Sequence, residues 1–118
     1  MDVKPYPDQK QKKTEAQARV LLESGKIEQQ QCNYDAAMDR YQSALLLYRQ
    51  LENPKGTTKV LHSIAFVAQR RGDYTGSKPI LEEALTLTQE HGLKILEAVT
   101  FLGLSRIYES QGMNAKAL

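Results

Sequence analysis

Two histidines, one cysteine and a few neighbouring carboxylates are the residues of this chain that could do chemistry. Catalysis needs a nucleophile beside a base or a pair of carboxylates on one site, and a metal needs a cluster of ligands. His62 falls within one helical run and His91 at the end of the next, so the two do not meet. Cys32 stands at a turn with no histidine near it in that frame, and reads as a small residue filling a junction. Glu82-Glu83, and Asp35 with Asp39, fall on solvated helix faces. No glycine-rich phosphate loop is found. The expectation is a chain that is not an enzyme, with no catalytic residues, no cofactor and no metal.

Composition narrows the rest. The 118 residues make one domain at most, large enough to hold a core. A formal charge of +2 is too small to argue for nucleic acid. A single cysteine excludes an internal disulfide. No apolar run approaches the roughly 18 residues that cross a bilayer, and Met1-Asp2-Val3-Lys4 does not open a signal peptide. These points lead us to expect a cytoplasmic location, with neither nucleic acid nor membrane as partner.

Binding is what remains, and it depends on the elements that present the side chains. Gly72-Asp73-Tyr74 separates two runs with helical spacing of apolar residues. Forty residues back stands Cys32-Asn33-Tyr34, and forty forward Gly112-Met113-Asn114. At this shift Leu21, Leu61 and Phe101 fall in one column. Gly25, Ala65 and Ser105 fall in another, and Ile27, Val67 and Ile107 in a third. Past the turn, Ala37 matches Ser77, Tyr41 matches Leu81, and Ala44 matches Ala84. A fixed period of this length marks an array of supersecondary units, none of which buries its apolar face alone. Here each unit is two antiparallel helices and a turn. Gly72 is expected in the left-handed region, and Ala44 and Ala84 at helix crossings.

The pattern resembles tetratricopeptide repeats. Phe101, Leu104, Ser105 and Tyr108 match the first half of that signature, and Tyr34, Ala37, Tyr41 and Ala44 the second. The longer period is similar to that of the extended subtypes with about 40-residue repeats. The resemblance implies an all-α, right-handed α-solenoid of antiparallel helix hairpins, about two and a half repeats long. Repeats are expected at about 15–54, 55–94 and 95–118, the last truncated, behind a flexible arm at 1–13. It also implies a non-enzymatic adaptor or scaffold that binds a protein or peptide in a groove lined by the first helices. Carried onto this chain, the groove columns hold Arg19, Leu22, Lys26, Gln29 and Gln30, then Lys59, His62, Phe66, Gln69 and Arg70. The third copy adds Val99, Leu102, Arg106 and Glu109. A mildly basic groove with Phe66 near its middle suits an acidic segment with apolar anchors. The lysine–asparagine clamp of the chaperone-binding members is not matched, because Leu22, Lys26 and Ser63 stand at its positions. Two other functions stay open: a homo-oligomeric scaffold joined through the truncated end, and the sensor or dimerisation part of a larger regulator or enzyme. A competing surface uses Arg40, Tyr48 and Arg49 on a second helix.

Helix boundaries are expected as follows. Thr14 caps a first helix to about Gln31, and a second runs to Leu51, ended by Asn53-Pro54-Lys55-Gly56. A third spans about Thr58 to Arg71. Thr75 caps a fourth, with Pro79 in its first turn. A fifth spans Leu93 to Gln111, with Leu104, Ile107 and Tyr108 exposed, and a sixth begins near Asn114.

Overall fold

The structure, a computed structural model, describes residues 9–117, with side chains described for 9–112. The chain is all-α. Its helices are α1 (Gln9–Gln30), α2 (Tyr34–Gln50), α3 (Pro54–Arg70), α4 (Tyr74–Glu90) and α5 (Lys94–Ala117). They fall into two compact units, Met1–Asn53 and Pro54–Leu118.

The turns carry the repeat in the backbone itself. Cys32, Glu52, Gly72 and Gly92 have φ of 62°, 51°, 83° and 66°, and stand twenty residues apart. After each, one amide reaches back to the carbonyl five residues earlier. These bonds are Asn33 to Glu28 at 2.9 Å, Asn53 to Tyr48 at 3.1 Å, Asp73 to Ala68 at 2.8 Å and Leu93 to Thr88 at 2.9 Å. This is the Schellman closure of a helix, which satisfies carbonyls the ladder leaves open. Gly72 is therefore left-handed, as expected. A Cβ at Gly72 would meet nothing within 4 Å, so only the backbone penalty opposes substitution. Gly72→Val is expected to destabilise unit Pro54–Leu118 by about 1–2 kcal/mol. Cys32→Gly, at a strained position, is expected to stabilise by less than about 1 kcal/mol. Urea unfolding of the two variants should therefore move in opposite directions.

In the first unit, Ala18, Leu22 and Gly25 of α1 and Ala37, Tyr41, Ala44, Leu45 and Tyr48 of α2 are buried. A Cβ on Gly25 would lie 2.5 Å from Tyr41 Cε1, so the missing side chain makes room for the ring. The Tyr41 hydroxyl donates to Gln29 Oε1 at 2.6 Å. In the second unit, Ala65, Leu81, Leu104 and Ile107 form one cluster, with Tyr74, Ile80 and Leu85 packed against it. Ala44 and Ala84 are both fully buried, as their column predicts.

Several boundaries differ from expectation. Residues 1–8 of the expected arm lie outside the described residues, but 9–13 are helical. Gln, Lys and Lys propagate a helix well, and Thr14 is internal, its hydroxyl bonded to Lys10 O at 2.9 Å. Pro54 starts α3 instead of ending α2, since its fixed φ suits a first helical position and its missing N–H costs nothing there. Asp73, not Thr75, caps α4, with Oδ1 accepting from Gly76 N at 2.8 Å. Pro79 therefore sits in the second turn and leaves the Thr75 carbonyl without its ladder partner. Leu104 and Ile107 are buried, because that side of α5 packs on α3 and α4. No turn forms at Gly112, and α5 continues to Ala117.

Candidate functional site

Five of the expected groove residues, Phe66, Gln69, Arg70, Arg106 and Glu109, meet in one place. Phe66 and Arg70 on the last turns of α3 and Arg106 on α5 line an open cleft of about 630 Å³ with Gln69, Tyr74, Glu109 and Ser110. Gln69 Nε2 donates to Gly103 O at 3.4 Å and holds α3 to α5 across the floor. Phe66 is 38% exposed, and Arg70 Cζ lies 5.9 Å above its ring. The guanidinium–ring contact keeps both groups at the cleft while leaving the charge to face solvent. Chemically the cleft offers an apolar aromatic surface, two guanidinium groups, and one carboxylate at Glu109. Tyr74 was missed as a site residue. Its position at the start of α4 marked it only as a turn neighbour, yet that position sets it beside the end of α3.

Other expected site residues fall elsewhere. Leu22 is 3% exposed and belongs to the α1–α2 core, because its face of α1 meets α2. Gln29 is engaged by Tyr41. Arg19 and Lys26 are exposed on α1, at 4.0 Å from Glu15 and 3.4 Å from Glu23. Lys59 and Leu102 are exposed on α3 and α5, outside the lining of the cleft. Tyr48, from the competing surface, is buried, and burial pushes its hydroxyl pKa up.

His62 is half-buried and spans α3 to α5, with Nε2 at 2.7 Å from Thr100 Oγ1. The Thr100 hydroxyl spends its proton on Leu96 O at 2.7 Å. Nε2 must therefore carry a hydrogen and donate, which makes His62 a structural tie. Burial lowers its pKa below the ordinary 6.5. The unfolded chain then binds a proton more readily than the folded one. The stability that neutral His62 contributes is whole above pH 6.5 and is lost as pH falls through the lower folded value. Melting temperature measured from pH 7.5 down to about 5 should fall more for the native chain than for His62→Gln.

Among the described residues no group of three His, Cys, Asp or Glu side chains could hold a metal, and no helix is long and apolar enough to cross a membrane. Hairpins repeating on one register, with an open cleft along a first helix, define a helical-repeat protein. The family profile described as tetratricopeptide repeat matches residues 57–91, which run through α3, its turn and α4. The match supports a tetratricopeptide repeat assignment for that hairpin, and the repeat is generally a protein-interaction fold. No curated protein and no solved structure matches the chain.

Proposed function

We propose that this chain is a non-enzymatic interaction module, an adaptor or scaffold. Its cleft of Phe66, Arg70 and Arg106 receives an acidic segment with an apolar anchor. The observation that carries the reading is Phe66, partly exposed beneath Arg70 and beside Arg106 in one open cleft. Aromatic and arginine side chains are those on which interface energy concentrates. Two guanidinium groups against one carboxylate raise the local concentration of anionic partners and speed their encounter. Lys59 and Leu102 extend the same reading along α3 and α5, while His62 is already committed to Thr100.

The test uses three labelled peptides that share a central leucine and phenylalanine and differ only in flanks of Glu, Ser or Lys. Fluorescence anisotropy and stopped-flow mixing are run at low and high salt. The Glu-flanked peptide should bind best. Phe66→Ala should speed its release, and Arg70→Glu should slow its association and flatten the salt dependence. Equal binding of all three peptides, or loss of binding only in Arg49→Glu, would defeat the assignment.

A further inference from the structure

The charges of the cleft in the second unit are ordered along its length. Phe66 and Arg106 stand forty residues apart, as do Gln69 and Glu109, so each pair marks one level of the two helices α3 and α5. At the first level Arg106 accompanies the ring of Phe66. Arg70 reaches back from the next turn of α3 to the same ring, with Cζ 5.9 Å from its centroid. Two positive groups therefore belong to the level of the aromatic anchor. The second level, about one helical turn on, presents Glu109 and Ser110 of α5. Gln69 is spent there on Gly103 O. Helix α3 also ends there, at Arg70, and a helix C-terminus carries a partial negative charge. Among the described residues Arg70, Arg106 and Glu109 make no ion pair, although Arg106 and Glu109 are three apart on one helix. All three are exposed, so their charges are open to a ligand.

Taking the cleft as the partner site proposed above, we infer that it reads the order of charges in a segment of mixed sign, and that Glu109 sets this specificity. The partner segment carries an apolar anchor on Phe66 and an Asp or Glu next to it, held by Arg70 and Arg106. Further along it carries a Lys or Arg that pairs with Glu109. Two guanidinium groups at one level suit a carboxylate there, because charge-assisted bonds from arginine to carboxylate are the strong ones. A second acid at the far level meets Glu109 and the carbonyl end of α3, like charge against like charge. A lysine at that place meets both as opposite charge. A repulsive contact set beside an attractive one discriminates between partners that carry the same groups in a different order. The two partner charges need be only two residues apart. That spacing spans about 7 Å in an extended segment, against about 5.4 Å for one helical turn.

The probes are dye-labelled peptides that share a Leu-Phe core and continue as Glu-Ser-Lys, Lys-Ser-Glu, Glu-Ser-Glu or Ser-Ser-Ser, each also made in the reversed chain direction. They are titrated into the 118-residue protein by fluorescence anisotropy at low salt. Glu-Ser-Lys and Lys-Ser-Glu have one composition and one net charge, so only order separates them. In the direction that binds tighter, Glu-Ser-Lys should exceed Lys-Ser-Glu by about fivefold or more, and Glu-Ser-Glu by about threefold or more. Glu109→Gln should shift the ratio of Glu-Ser-Lys to Glu-Ser-Glu by about threefold or more towards Glu-Ser-Glu, and Glu109→Lys further still. Glu90→Gln, at an exposed carboxylate outside the cleft, should leave that ratio unchanged. Glu109 is exposed, so its variants should keep the native melting temperature, which circular dichroism checks. Suppose that Glu-Ser-Glu binds tighter than Ser-Ser-Ser, yet the two isomers bind equally or Glu109→Gln leaves the ratio where it was. The role of Glu109 is then overturned, and the acidic-partner reading of the cleft stands. Binding of every peptide no tighter than Ser-Ser-Ser would overturn both.

Discussion

Tyr41→Ala should destabilise the first unit by about 3–5 kcal/mol, the range for truncating a large buried aromatic. Tyr41 is fully buried. Its ring fills the space that Gly25 leaves, and its hydroxyl bonds Gln29 across the hairpin. Truncation removes the ring where no neighbouring side chain can collapse into the gap, since the residue beneath it is glycine. Tyr41→Phe keeps the ring and should cost only about 1 kcal/mol for the lost hydrogen bond. Urea unfolding of the three proteins, with hydrogen exchange read on α1 and α2 amides, measures both. A cost for Tyr41→Ala no larger than for Tyr41→Phe would show that the ring does not fill that space.

The second large effect is expected at Ile107. It is fully buried and clusters with Ala65, Leu81 and Leu104, so it fixes α5 to both helices of the hairpin before it. Ile107→Ala should cost about 2–5 kcal/mol. The loss should appear first as faster hydrogen exchange along α5, because Leu104 and Ile107 are the side chains that bury this helix against Ala65 and Leu81. Phe101→Ala, on the exposed side, should change stability by no more than about 0.5 kcal/mol. If the two substitutions cost the same, α5 is rotated from the orientation described here.

The columns at a shift of forty were readable because helix packing repeats side-chain size at fixed positions. Ala37 with Ser77 and Ala44 with Ala84 are all fully buried. The limits of that reading are equally specific. Ile27 shares a column with Val67 and Ile107, yet is 55% exposed while they are buried. A column gives the angle of a residue on its helix and says nothing of what covers that side. Leu22 failed as a groove residue for the same reason: leucine suits a core or a binding face equally. His62 was expected in the groove, because its partner Thr100 is 38 positions away and no local pattern connects them. Phe66, Arg70 and Arg106 fall together at one cleft because repeat-equivalent first helices bring their turns side by side. Pro79 misled because the cap was placed at Thr75, two residues beyond the aspartate that makes the bond.

The left-handed residues at 32, 52, 72 and 92 have a consequence for how such a chain can change length. Each helix runs between fixed pivots, so the angular phase of every side chain is counted from the nearest one. Inserting a single residue within α3 would rotate everything up to the next pivot by about 100°, carrying Ala65 off its leucine and Phe66 out of the cleft. Copying a whole span from one pivot to the pivot forty residues on would leave every phase intact and add a complete hairpin. Growth by duplication of that segment is therefore nearly neutral to packing, while point insertions are not. A chain built on this metre lengthens in whole modules.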